Sequence, residues 1–275
     1  MKIIDCFTFY NELDLLYYRL SLLYPHVDYF VLSEATKTHR GNSKPLFFQE
    51  NVDRFSPFLD KIIYVLDTEL VENPVVSPNQ NRDDGVWKNE NHQRNALTRG
   101  IKQIVLDGDD LIMISDVDEI PDIQTILDNR QAIVQSEYVG LIQDFYYYHL
   151  TCKNPEKWTE AKVMTYSYYC NQLKRTPQIC RMHNHQVNGY LDRGGWHLSY
   201  FGNAETIRNK ITQFGHQEFN HPEYTQTDAI LRKIKNNEDL YARPNEKWIT
   251  VPLQQNDYLP PNYTEYMNVF FPAGF

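Results

Sequence analysis

Leu111-Ile112-Met113-Ile114-Ser115-Asp116-Val117-Asp118-Glu119-Ile120-Pro121 is the stretch that decides the fold. Its first five residues are apolar apart from a terminal serine, a pattern that suits a short strand covered on both faces. Directly after it come three carboxylates within four residues. Such a cluster repels itself and loses solvation on burial unless cations join it. Working outward, Ile3 to Phe9, Val27 to Ser33 and Lys61 to Leu66 read as further short strands. Between the first two, Leu13, Leu16, Tyr17, Leu20, Leu23 and Tyr24 recur at helical spacing, with Asn11 as N-cap, Glu12 and Asp14 in the first turn and Pro25 closing. A longer helix is expected from about Trp87 to about Leu106. Short apolar strands separated by helices predict an α/β chain with a Rossmann-type sheet.

In open α/β sheets, ligands bind outside the carboxyl ends of the strands. Asp116, Asp118 and Glu119 fall at such an end, as do Glu12, Glu34 and Asp67 after the other three strands. A row of acids there suits a hard divalent cation, magnesium or manganese, that holds a substrate diphosphate. Past Pro121 the texture changes. Val139 to Leu150, Ala161 to Tyr169 and Gln178 to His185 read as aromatic-rich strands, and helices return at Ala204 to Thr212 and Thr227 to Asn236. Residues 241–275 carry Pro244, Pro252, Pro260, Pro261 and Pro272 and read as an extended strap over a single domain, 1–275.

Gly194-Gly195-Trp196-His197 pairs two glycines, which allow close backbone approach to a ligand, with a flat indole suited to a sugar ring and an imidazole suited to a metal. Trp87, Glu90 and Arg94 share one helix face, and His183 and His185 alternate on the expected strand as possible ligands. The chain has no G-x-G-x-x-G, Walker loop, G-x-S-x-G or C-x-x-C. That removes dinucleotide oxidoreductases, P-loop enzymes and serine hydrolases.

The 275 residues are 41% hydrophobic and 23% charged, which is globular composition. A net charge of −9 argues against a nucleic-acid partner. No apolar run approaches the ~18 residues of a membrane span, and no signal peptide is evident, so a cytoplasmic protein without a transmembrane segment is expected. Four scattered cysteines read as free thiols.

The motifs, taken in order, resemble glycosyltransferase family 17, the group of the bisecting N-acetylglucosaminyltransferase and its bacterial and viral relatives. The resemblance runs through Phe9 to Asp14, Arg19-Leu20, Val27 to Glu34, Gly41 to Leu46, Trp87 to Arg94, Ser115 to Pro121, Gly194 to Gly202 and Phe214 to Glu218. It implies a GT-A-like mixed sheet flanked by helices and an inverting, metal-dependent transfer of a sugar, N-acetylglucosamine in the known members, from a UDP-sugar to a carbohydrate acceptor. Asp116 and Asp118 match the family's D-x-D, which would bridge metal, diphosphate and ribose. His197 and His216 are the further candidate metal ligands. Glu12, Glu34, Lys44, Arg94 and Trp196 are expected around the donor. Inversion needs one base; Glu218 is the first candidate, with Asp144 and Asp192 as rivals. Two other readings compete: a haloacid-dehalogenase-type phosphatase, in which the first aspartate is a nucleophile, and a non-catalytic sugar-binding module built on Trp196.

Overall fold

The computed structural model describes residues 1–75, 85–182 and 187–271. Strands β1 (Ile3–Phe9), β2 (Tyr29–Ala35), β3 (Ile62–Asp67) and β4 (Leu111–Asp116) lie parallel in the order β3-β2-β1-β4. Helices α1 (Leu13–Leu23) and α2 (Gly85–Ile101) cover opposite faces. Strand alternation sorts the apolar side chains between those faces. Ile3, Phe7, Leu111 and Met113 join α1's Leu16 and Leu20 in one core, whereas Ile4, Cys6, Ile112 and Ile114 join α2's Leu97 and Ile101 in another.

The second half extends this sheet with antiparallel pairings. These strands are β5 (Glu119–Pro121), β6 (Tyr138–Tyr147), β7 (Cys152–Trp158), β8 (Lys162–Thr165), β9 (Tyr190–Ser199) and the short β10 (Ile249–Thr250). The main path runs β10-β7-β6-β8-β4-β1-β2-β3, while β9 pairs parallel with β6 and antiparallel with β5. Among the described residues the result is one mixed sheet of ten strands flanked by helices.

Several expectations change in detail. Glu12 rather than Asn11 stands at the N-cap of the first helix, with no capping bond from its side chain, and the second helix ends at Ile101, where the chain tightens into turns. The expected strand 161–169 shortens to β8, because Thr165 caps a helix, Tyr166–Asn171, with its side chain on the Tyr168 amide. In place of the expected strand 178–185 stands a helix, α3 (Pro177–Met182). Proline at the first helical position favours that start, and six residues carry too few apolar positions to separate the two periods. His183 and His185 lie outside the described residues. The expected helices at 204 and 227 form as α4 (Ala204–Gln213) and Thr227–Asn236.

The tail crosses the outside of α1. Val269 and Phe270 are buried beside Leu15, Tyr18 and Trp196, and the Tyr18 hydroxyl donates to the Pro261 carbonyl at 2.8 Å. Cys6, Cys152 and Cys180 are buried free thiols and Cys170 is a half-buried one. Among the described residues no helix is long and apolar enough to cross a membrane.

Candidate functional site

The carboxyl ends of β1 and β4 open onto a cleft of about 390 Å³, lined from below by Thr8, Glu12 and the acidic loop Asp116 to Glu119. That loop is pinned from underneath. Arg19, fully buried on α1, is gripped by both oxygens of the equally buried Asp5 at 2.9 and 2.6 Å. Its Nη1 donates to the carbonyls of Asp116, Val117 and Glu119 at 2.8, 3.2 and 3.0 Å. Nη2 adds the Ser115 hydroxyl at 2.6 Å. The loop is therefore set by its main chain, which frees its side chains to face the cleft.

Those side chains meet cations from three helices. Asp116 accepts from Thr8 at 3.0 Å and from Arg94 on α2 at 3.0 Å, and its other oxygen lies 3.2 Å from Arg181 on α3. Burial alone would raise its pKa, but Arg181 and then Arg94 outweigh burial and hold the carboxyl well below the usual range. Glu119 takes Arg181 in a two-pronged pair at 2.5 and 2.8 Å, the Trp158 indole N–H at 2.7 Å and the Asp116 amide at 2.9 Å. It has no acceptor capacity left for a ligand.

Asp118 accepts from Lys210 on α4 at 2.7 Å, and its second oxygen lies 3.8 Å from His197 Nε2. Burial raises its pKa, yet Lys210 and His197 bring it below the ordinary value. His197 stacks on Phe145, 4.7 Å away and nearly parallel, and the tilted Trp158 ring packs beside both at 4.3 and 5.3 Å. Burial pulls the His197 pKa below the ordinary value despite Asp118. Its Nδ1 is buried without a hydrogen-bond partner.

Of the expected site residues, Glu12, Lys44, Arg94, Asp116, Asp118, His197 and His216 line the cleft. Lys44 lies over the Tyr10 and Phe47 rings, and burial draws its pKa down even though Glu34 is 3.2 Å away. The other five lie elsewhere. Glu34 is fully buried beneath the cleft, where it accepts from Lys44, the Phe48 amide and Tyr64. Trp196 is 1% exposed, stacks on Tyr258 and donates its indole N–H to the Tyr258 carbonyl at 3.1 Å, so it presents no face to a sugar. Neighbouring residues of a strand point to opposite faces, so His197 can reach the cleft only if Trp196 does not.

Strand β6 divides in the same way. Phe145 and Tyr147 line the cleft, while Asp144 points away into ion pairs with Lys153 and Lys157. Asp192 is exposed at the outer end of β9. Glu218 reaches the cleft only through His216, whose Nδ1–H it accepts at 2.6 Å. The glycine pair, too, approaches protein and not ligand. At Gly195, with φ +132°, a Cβ would sit 2.1 Å from the Ile120 carbonyl of β5.

Sequence reasoning missed Arg181 and Lys210 as partners of the acids. Neither belongs to a motif, and each arrives from a helix far along the chain. In all, seven carboxylates and six lysine or arginine side chains line the cleft among the described residues, so it has no spare positive charge for an anionic substrate.

Among the described residues no three His, Cys, Asp or Glu side chains gather into a metal centre. A buried imidazole beside one oxygen of Asp118 is nevertheless a fitting half-set, since magnesium-type ions are usually completed by substrate phosphates and water. Asp118 and His197 thus fit a cation that shares its ligands with a substrate. The side chain of Asp116 is already committed to two arginines, and the ring of His216 leans edge-on against Trp87 at 4.7 Å.

The family model for glycosyltransferase family 17 matches residues 1–255. The beta-1,4-mannosyl-glycoprotein 4-beta-N-acetylglucosaminyltransferase of Rattus norvegicus is 32% identical over 124 residues, which cover 44% of this chain and 22% of that protein. The Homo sapiens protein of the same name gives the same identity and coverage. The chain therefore spans well under two thirds of the curated relatives it matches. The mixed α/β sheet and the acid-lined strand ends agree with the extent of the family match: this chain belongs to glycosyltransferase family 17.

Proposed function

We propose that this protein transfers a sugar, N-acetylglucosamine, from a UDP-sugar donor to a carbohydrate acceptor with inversion at the anomeric carbon. The observation that carries the reading is the placing of Asp118 beside His197 at the carboxyl edge of the parallel strands, inside a cleft that also holds Arg94 and Arg181. Asp118 and His197 would hold a divalent cation, which when bound supplies charge stabilisation to the departing diphosphate. Arg94 and Arg181, both aligned on Asp116, fix that carboxylate beside the cation site. The aromatic end of the cleft, with Phe145, Tyr147, Trp158 and Tyr241, offers apolar faces to sugar rings and excludes water.

Inversion in one displacement needs a base for the acceptor hydroxyl. Asp144 and Asp192 stand outside the cleft. His216 lines it, and Glu218 fixes its Nδ1–H, so His216 takes the proton at Nε2 and Glu218 orients the ring. A beta-mannosyl acceptor, as in the relatives' printed name, is the first to try. The phosphatase reading loses support because Asp116 would have to be a free nucleophile, and the sugar-module reading because Trp196 is buried.

The test is release of UDP from UDP-N-acetylglucosamine, with and without manganese and mannosyl acceptors, beside UDP-glucose, GDP-mannose and p-nitrophenyl phosphate. Metal-dependent turnover of a UDP-sugar supports the reading. Turnover of the phosphate ester alone, or of no nucleotide sugar, overturns it.

A further inference from the structure

The cation that neutralises Asp118 in this structure is an amino-acid side chain. Lys210 reaches down from α4 to place Nζ 2.7 Å from Asp118 Oδ2 and 3.7 Å from Glu12 Oε1. Its ammonium also lies over the rings of Tyr200 and Phe214, at 5.4 and 5.2 Å, and its side chain is 18% exposed. The partner across Asp118 is different in kind. His197 is buried and its Nδ1 has no hydrogen-bond partner, so as a neutral ring it would add a single lone pair and no charge. One oxygen of Asp118 is thus occupied by a fixed positive charge, and the other shares a gap with an idle imidazole.

We infer that Lys210 is a built-in counter-ion that holds the place of a divalent cation on Asp118 and gives it up when a nucleoside diphosphate enters. The inference rests on the metal-dependent reading above and adds to it which residue balances Asp118 before a nucleotide enters. A lysine suits the task better than an arginine, because its charge is compact and its stem flexible. Without nucleotide, a divalent ion has only two protein ligands to gain and must displace Lys210 from a buried carboxylate. With nucleotide, phosphate oxygens complete the ion's ligands and give the displaced ammonium a new anion. The charge balance of the cleft points the same way. Seven carboxylates against six basic side chains leave no surplus for a diphosphate, so ion and diphosphate have to enter together. Metal and nucleotide affinity must then be coupled, and the coupling is reciprocal.

The experiment is manganese binding to the full chain, followed by calorimetry or by the paramagnetic resonance signal of free manganese, with and without UDP. Wild type, Lys210→Met, Lys210→Gln and Asp118→Asn are compared, each checked for folding by circular dichroism. The expected result is weak manganese binding to wild type that UDP strengthens at least about tenfold. Both Lys210 variants should bind manganese alone about tenfold more tightly than wild type and gain less from UDP. Asp118→Asn should bind none.

Folded Lys210 variants with manganese affinity no higher than wild type overturn the placeholder role. So does UDP binding that is unaffected by EDTA yet lost in both variants, because Lys210 would then replace the metal outright. If manganese fails to bind wild type even with UDP, the metal-dependent reading itself falls and takes this inference with it. The wild-type arm thus separates the two failures.

Discussion

Arg19 donates to the main-chain carbonyl of Asp116 at 2.8 Å, and so the residue that opens the acidic loop is held from the side away from the cleft. The same guanidinium is paired with Asp5, and neither side chain has any exposure. Replacing one partner of a buried pair strands the other. Arg19→Gln should therefore cost about 3–5 kcal/mol. Arg19→Lys should do little better, since an ammonium cannot reproduce the planar fork that serves a carboxylate, a hydroxyl and three carbonyls. Urea unfolding midpoints measure this. A midpoint unchanged in both variants would show that the loop does not depend on Arg19.

Trp196 and His197 separate stability from function within two residues. Trp196→Ala opens a cavity under the tail and should cost about 3–5 kcal/mol, with Trp196→Phe milder. The fraction that remains folded should transfer sugar at a near-normal rate, because the indole does not touch the cleft. Thermal melting and single-turnover rates on one preparation decide the matter. A normal melting temperature with lost turnover would restore the indole as a sugar platform.

The His216–Glu218 pair is testable through the split between kcat and KM. If His216 takes the acceptor proton, His216→Gln should lower kcat by roughly 100-fold and leave the donor KM little changed. Glu218→Gln should lower kcat less, since the ring keeps its base but loses its orientation. A kcat near wild type in His216→Gln would place the base elsewhere.

Lys162 offers a pH dependence of stability unrelated to catalysis. Its side chain is fully buried on β8, where burial lowers its pKa to about 8 against a partial offset from Glu160. The unfolded chain keeps the ordinary lysine value of roughly 10.4. Between these values the unfolded chain binds the proton and the folded chain has released it, so stability rises with pH. Below pH 8 both forms are charged and the fold carries a constant penalty of about 3 kcal/mol. Lys162→Met should thus stabilise the protein most at neutral pH and progressively less up to about pH 10. A difference in unfolding free energy that stays flat from pH 7 to 10 would refute the buried-charge account.

Much of this architecture was legible because its signals are contiguous. The four parallel strands appear within about two residues of their expected places, since each is an apolar run bounded by turns. The D-x-D loop was legible for the same reason. Strand β7 was not, because Lys153, Asn154, Pro155, Glu156 and Lys157 give no apolar alternation. The site's cations were not legible either. Lys210 and Arg181 meet the acids across 92 and 62 residues, and nothing local marks them. Trp196 was misjudged because the pairing partner that fixes its face, β6, is more than 40 residues away.

The register between β6 and β9 sets Asp144 opposite Trp196, Phe145 opposite His197 and Tyr147 opposite Ser199. A slip of β9 by one residue would exchange every β9 member of that row between the two sides of the sheet. The tryptophan anchor would swing into the cleft and the idle imidazole into the core. Gly195 forbids such a slip at its start, since only glycine tolerates its φ of +132° against the Ile120 carbonyl. Deletions or insertions along 194–197 therefore cannot trade activity for stability in small steps. Fold and site are written on alternate letters of one line, and a single frameshift in space erases both.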